Sequence, residues 1–262
     1  MKERVDMITL RRPADAAKAV SALLAGKIAV MKMGSIWGLF FNPQIPRLAD
    51  RLNQLKMREE TQSFSLICTC GQAKEIADRE RVNHDFYSIT PDMCRKVIVR
   101  FPINTALNLP FPYNAGAGTV QFQSFEASHP ILRELQRLLN AEGCPFLSGT
   151  SGNIHGAPAV ETLADAKRLA ALFNIEASFW GIKTETAVVD IPAASGENKG
   201  SFPIIGFNNP LAVEVQRLMN KTDRELTERY LASVFAGHPF ETSLVYSENA
   251  GTKEMDSGSS PA

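Results

Sequence analysis

Lys56 and Arg58 stand one residue apart, just past a stretch, 46–55, in which Leu48, Leu52 and Leu55 recur at helical spacing. A strand-like run, 64–68, follows. Two cations on a loop between a helix and a strand can converge on one polyanion, since a guanidinium fork and an ammonium point charge are the usual means of holding phosphates. Most isolated K-x-R triplets are merely solvated. A second stretch much later, Gly149-Thr150-Ser151-Gly152-Asn153-Ile154-His155-Gly156, changes the balance. It packs hydroxyl, amide and glycine residues between an apolar strand and a helix, and such a loop can offer backbone and side-chain donors to an anion. Two further positions belong with these. Lys32, on an apolar strand, could supply an extra cation, and Ser35 follows Gly34 at a strand end.

The elements that must position these residues are legible from periodicity and punctuation. A short strand at 7–10 precedes a helix at 13–25 that Gly26 stops. A buried strand, 27–33, is broken by Gly34-Ser35 before the apolar run 37–41. A surface helix is expected at 72–79, and another opens at Thr90, as N-cap, with Pro91 at the first helical position. Strands are expected at 97–101, 106–109 and 119–125, the last alternating so that one face is wet. The clearest helix is 130–140, whose Ile131, Leu132, Leu135, Leu138 and Leu139 form a wide apolar stripe. A helix at 160–173, a strand at 187–191 and a flexible loop at 192–201 complete the main body. A helical pair, 209–219 and 222–235, then follows, with Thr222 and Glu225 in a capping-box pattern. This alternation predicts an α/β sheet with helical cover. The expected divisions are a nucleotide-binding domain at 1–207, a C-terminal helical extension at 208–246 and a disordered tail at 247–262.

Taken together the motifs resemble the YrdC-like family, the threonylcarbamoyl-AMP synthases. That family's K-x-R and S-x-N match Lys56/Arg58 and Ser151/Asn153, and its T-S-A-N-x-S-G-x-P is similar to Thr150 through Pro158. Its P-T-D-T-x-Y-G-L is similar to Lys32 through Leu39, and its S-T-V-V-D to Thr186-Ala187-Val188-Val189-Asp190. The resemblance covers roughly residues 8–207. It implies a twisted, open mixed sheet with helices on its faces, with the C-terminal helical pair as an appendage. It further implies that Lys56 and Arg58, as the catalytic pair, hold the triphosphate of ATP. Thr150, Ser151 and Asn153 would then donate to phosphate or ribose oxygens, with Lys32, Ser35, His155 and Thr186 also at the substrates. Mg²⁺ would arrive with the nucleotide, bound by phosphate oxygens and water. The implied reaction joins threonine, bicarbonate and ATP into a carbamoyl-adenylate for tRNA modification.

The sequence also departs from the family. Met33, Gly34 and Trp37 replace a threonine, an acidic residue and a tyrosine, and Gln62 and Ser63 stand where a lysine and a proline are usual. Arginines expected within 119–123 and 202–207 are missing. The phosphate-facing elements are kept while groups around the other substrate have changed. Two alternatives therefore stand beside the housekeeping synthase: a repurposed carbamoyl-adenylate enzyme using another amine or carbamoyl donor, and a non-catalytic module binding nucleotide or RNA.

Composition narrows the classes. The 262 residues are 44% apolar, enough for a real core, and the formal net charge is zero, so no whole-protein nucleic-acid footprint is expected. Cys68, Cys70, Cys94 and Cys144 are scattered and read as reduced thiols rather than a metal site. With no leader pattern and no apolar run of about 18 residues, a cytoplasmic protein without a membrane span is expected. There is no G-x-S-x-G or Walker A glycine loop. Of four histidines, His84, His129, His155 and His238, only His155 lies in a motif loop, and His129 reads as a turn residue at a helix start. Small-molecule substrates are the expected partners, with a homodimer partner one reading of the C-terminal pair.

Overall fold

The computed structural model describes residues 5–33, 36–59, 62–107, 109, 118–125, 129–154, 156–158, 160–192, 202–218, 223–238 and 244–247. They form two compact units, each built from several chain segments. The first comprises 1–68, 109–113 and 128–199; the second comprises 69–108, 114–127 and 200–262.

The first unit carries β1 (Asp6–Thr9), α1 (Ala16–Leu24), β2 (Ile28–Met33), β3 (Ile36–Phe41), α2 (Leu48–Leu55), β4 (Ser65–Ile67), α5 (Pro130–Ala141), β7 (Leu147–Ser151), α6 (Leu163–Phe179) and β8 (Thr186–Asp190). Its strands run in the order β1-β8-β2-β3-β7-β4. The first three are parallel and the rest antiparallel, a mixed sheet. The apolar stripe of α2 (Leu48, Leu52, Leu55) and Ala166, Leu169, Ala170 and Phe173 of α6 cover one face, against Ile28, Val30, Trp37, Leu39 and Phe41. At about 25 cal/mol per Å² of apolar area removed from water, this cluster is the main driving force holding α2 and α6 in place. The helix expected to end at 173 runs on through Phe179, because Ala177 keeps the stripe going.

The second unit carries α3 (Cys70–Ile76), α4 (Pro91–Lys96), β5 (Ile98–Pro102), β6 (Thr119–Gln123), β9 (Ile204–Asn209), β10 (Ala212–Arg217), α7 (Arg224–Val234) and β11 (Leu244–Tyr246). Its strands run β6-β5-β9-β10-β11. Phe86 is its aromatic centre, with ring centroids 4.6 Å from Phe101 and 5.6 Å from Phe207. β6 alternates in burial as expected, and Thr90 caps α4 by accepting from the Met93 N–H. Cys70 opens α3, its Sγ 3.8 Å from that of Cys94; all four cysteines are buried and outside any disulfide among the described residues.

Several expectations are corrected. Of the helix expected at 209–219, the described residues 209–218 form none. β9 and β10 form an antiparallel hairpin turned at Asn209-Pro210-Leu211, where Asn209 Oδ1 accepts from the Leu211 N–H. Val213 and Val215 are buried and alternate with half-buried Glu214 and Gln216. A period of two outweighs the helical reading. The C-terminal extension is thus one helix among strands, and 200–262 belongs to the same compact unit as 69–108. Asp223 rather than Thr222 caps α7, accepting from the Leu226 N–H. No strand forms at 105–107, where the chain turns. Of the expected loop at 192–201 only Pro192, and of the expected tail at 247–262 only Ser247, fall within the described residues.

Candidate functional site

The site begins at the end of α2. Lys56 caps the helix, and Met57 takes a left-handed backbone with φ 56°. The Met57 N–H bonds Gln54 O and the Arg58 N–H reaches back to Asn53 O at 3.1 Å. This is a Schellman closure with methionine where glycine is usual, and the reversal turns Lys56 and Arg58 inward while Met57 stays exposed.

The second half is β7, which runs through Thr150 and Ser151, residues expected in a loop. β7 pairs with β3 on one side and β4 on the other. Gly38 and Gly149 flank the Phe40 ring so closely that a Cβ on either would stand 2.7 and 2.9 Å from it. Beyond β7 the chain folds back. Gly152 N–H bonds Trp37 O at 2.8 Å, Val160 N–H bonds Gly152 O at 3.1 Å, and Asn153 Nδ2 donates to Ala157 O at 2.6 Å. Ser151 Oγ donates to Asn153 Oδ1 at 2.5 Å.

The two cations enter this frame differently. Lys56 is 2% exposed, and its Nζ donates to Ser151 O and Asn153 O, each at 2.6 Å, and to Asn153 Oδ1 at 3.3 Å. Three acceptors match the three N–H groups of an ammonium. Arg58 is held by its edges. Nε donates to Asn53 Oδ1 at 2.5 Å, Nη1 to Thr150 Oγ1 at 3.3 Å, and the guanidinium lies 4.3 Å from the Phe64 ring centroid. Phe64 is itself fixed edge-on against Phe41, and Asn53 Nδ2 is anchored on Gln62 O. Arg58 Nη2 is buried and has no partner among the described residues. Burial, then the neighbouring Arg58 charge, push Lys56 down to about 7, and burial lowers Arg58 to about 10. Two cations in a poorly solvated corner, one with a free donor, favour an anion.

The remaining predicted residues fall apart from this cluster in graded fashion. Lys32 pairs with Trp37 and Thr150 with Leu39, so both sit on the face of Trp37 and Leu39, whereas Ser151 pairs with Gly38 on the other face. Lys32 is half-buried and bonds no described residue. Thr186 is not brought to the cluster. It lies three strands across and three residues along from Ser151, and Asn174 of α6 brackets its backbone, accepting from Thr186 N–H at 2.6 Å and donating to Thr186 O at 3.2 Å. Ser35 and His155 lie outside the described residues. Trp37 is a core residue, with Nε1 donating to Glu161 O at 3.3 Å, rather than an open pocket wall. His129 caps α5, its Nδ1 accepting from the Ile131 N–H, as its turn reading requires. Sequence reasoning missed Asn53 and Phe64. Asn53 is the polar residue in the helix's last turn, five before Arg58, where the 6→1 bond of the closure falls.

Among the described residues no helix is long and apolar enough to cross a membrane, and no three or more His, Cys, Asp or Glu gather as a metal cluster. The family model of Sua5, YciO and YrdC, described as "Telomere recombination", matches residues 21–195. No curated protein sequence matches the chain. Among solved structures, P. abyssi Sua5 complexed with L-threonine superposes with a TM-score of 0.59 at 16% identity, over 87% of this chain and 60% of that one. E. coli YciO gives 0.54 at 12% identity, over 79% and 91%. Full-length HypF in its phosphate- and nucleotide-bound form gives 0.60 at 15% identity, over 78% and 24%. The chain therefore spans less than two thirds of the Sua5 structure and about a quarter of the HypF structure.

Proposed function

This chain belongs to the Sua5–YciO–YrdC family, and we propose that it is an ATP-dependent nucleotidyltransferase that forms a carbamoyl-adenylate. The observation that carries this reading is Arg58: a half-buried guanidinium clamped by Asn53, Thr150 and Phe64, with Nη2 covered and without a partner among the described residues. A fork whose plane is fixed in this way can offer a charged hydrogen bond to a phosphate oxygen. The nucleotide-bound HypF and the threonine-bound Sua5 structures support the substrate classes, a nucleotide and an amino acid.

In the proposed reaction an amino acid and bicarbonate first give an N-carboxylated amino acid. Its carboxylate oxygen attacks the α-phosphorus of ATP, the bond to the bridging oxygen breaks, and pyrophosphate leaves. This transfer needs alignment and charge neutralisation rather than a protein nucleophile. Arg58 supplies the neutralisation, Thr150 supplies a hydroxyl at the strand end, and Mg²⁺ comes with ATP. A second reading, the same chemistry on a different acceptor, is favoured by Trp37, whose indole is locked into the core where the family pattern has a tyrosine.

The test is ATP-dependent pyrophosphate release with bicarbonate, across a panel of amino acids and carbamoyl phosphate, beside ATP binding by calorimetry. Release with threonine supports the housekeeping reaction, and release with another acceptor supports the second reading. ATP binding without release from any member of the panel would leave a binding module, and no binding would sink the proposal. Arg58→Ala should weaken ATP binding by about 1.5–3 kcal/mol, the range for a charged hydrogen bond; an unchanged affinity refutes the clamp.

A further inference from the structure

The K-x-R pair would ordinarily be read as two phosphate ligands. We infer that the pair divides its roles: Lys56 is a positioning residue that holds the 151–157 turn, and Arg58 is the cation that contacts the anion. The inference rests on the nucleotide reading above and refines it.

The geometry carries it. An ammonium has three N–H groups and no more. All three of Lys56 have acceptors, two of them main-chain carbonyls, Ser151 O and Asn153 O, that no substrate replaces. The ammonium is almost wholly covered. To reach a phosphate it would have to break at least one of these charge-assisted hydrogen bonds, which are stronger than neutral ones. Its bonds also complete a closed circuit. Asn153 Oδ1 accepts from both Lys56 Nζ and Ser151 Oγ, while Asn153 Nδ2 donates onward to Ala157 O. Removing the lysine therefore loosens three points of the turn at once. Arg58 has the opposite character. Its Nε and Nη1 bonds and its aromatic platform fix the plane of the fork, while Nη2 remains without a partner among the described residues. Asn53 and Phe64, which neither motif includes, are the residues that aim it.

Amide hydrogen exchange and calorimetry with MgATP on the full chain, comparing wild type, Lys56→Met and Arg58→Met, separate the roles. Lys56→Met should speed exchange of the 151–157 amides in the free protein by about tenfold or more, the effect of losing roughly one buried hydrogen bond. It should lower ATP affinity while keeping the wild-type salt dependence. Arg58→Met should leave that exchange unchanged and flatten the salt dependence, since it removes the direct ionic contact. Wild-type exchange in Lys56→Met, or a salt dependence flattened as in Arg58→Met, overturns the inference. If wild type binds no ATP, the nucleotide reading fails while the exchange comparison still decides whether Lys56 holds the turn. Should Lys56→Met not fold, side-chain nitrogen resonances of the wild-type protein decide instead. Adding ATP should move the Arg58 signal and leave Lys56 Nζ in place; a shifted Lys56 Nζ refutes the division.

Discussion

At the scale of single residues, Met57 shows how much local strain the site tolerates. A non-glycine residue in the left-handed region costs about 1 kcal/mol or more. Its φ of 56° is nonetheless what turns Lys56 and Arg58 inward together. Lys56 carries a second cost, burial of a charge, and that cost has a sign that can be tested. Burial and Arg58 bring Lys56 down to about 7 in the native protein, while the unfolded chain keeps the ordinary lysine value. Below pH 7 both states hold the proton, so stability does not change with pH on this account. Between about 7 and 10 the unfolded chain binds a proton that the native protein has released. Native stability should therefore rise with pH across that window, by up to about 1.4 kcal/mol per unit. Urea unfolding at about pH 6.5, 7.5 and 8.5 should show the rise in wild type and its loss in Lys56→Met. An identical pH profile in the two proteins would contradict it.

At the scale of elements, the site depends on β3 and β7 lying unusually close at their ends. Gly152 is the pinch point: a Cβ there would sit 2.4 Å from Trp37 O, a backbone atom that cannot swing aside. Gly152→Ala should break the Gly152–Trp37 and Val160–Gly152 bonds, lower stability by about 1–3 kcal/mol, and reduce ATP affinity by displacing Thr150 and Ser151. Thermal melting and calorimetry check both effects, and a variant with wild-type melting would show that the close approach relaxes without cost.

At the scale of the whole molecule, each unit is closed by chain segments far apart in sequence. β8 is hydrogen-bonded between β1 and β2, joining residues 6–9 and 28–31 to 186–190, and its Ala187, Val188 and Val189 are fully buried. Neither β1 nor β2 can complete the sheet before β8 is available, and such non-local pairing is formed late and lost together. Truncation before residue 186 should therefore leave a chain with secondary structure but without fixed packing. Lost near-UV circular dichroism from the Trp37 core, with retained far-UV signal, is the expected outcome. A cooperative thermal transition in the truncated chain would show that β8 is dispensable.

What the sequence by itself determined was local. Leucine spacing placed α2, the capping of α4 and the stripe of α5 followed from neighbours within four residues, and the two motifs named Arg58, Lys56, Thr150, Ser151 and Asn153, which the fold does bring together. Periodicity failed where two periods competed, as at Val213 and Val215. What only the tertiary structure decided was which groups are satisfied. The acceptors of Lys56 lie 95 and 97 residues away, and Thr150 lies 92 from Arg58. Thr186 stands three strands across from Ser151, and Asn53 and Phe64 stand beside one guanidinium because a helix closure and a stacking face put them there. A motif names donors, but a hydrogen bond already made is a property of positions in space, so the difference between a cation that holds the protein and one that is open to a ligand appears only in the fold.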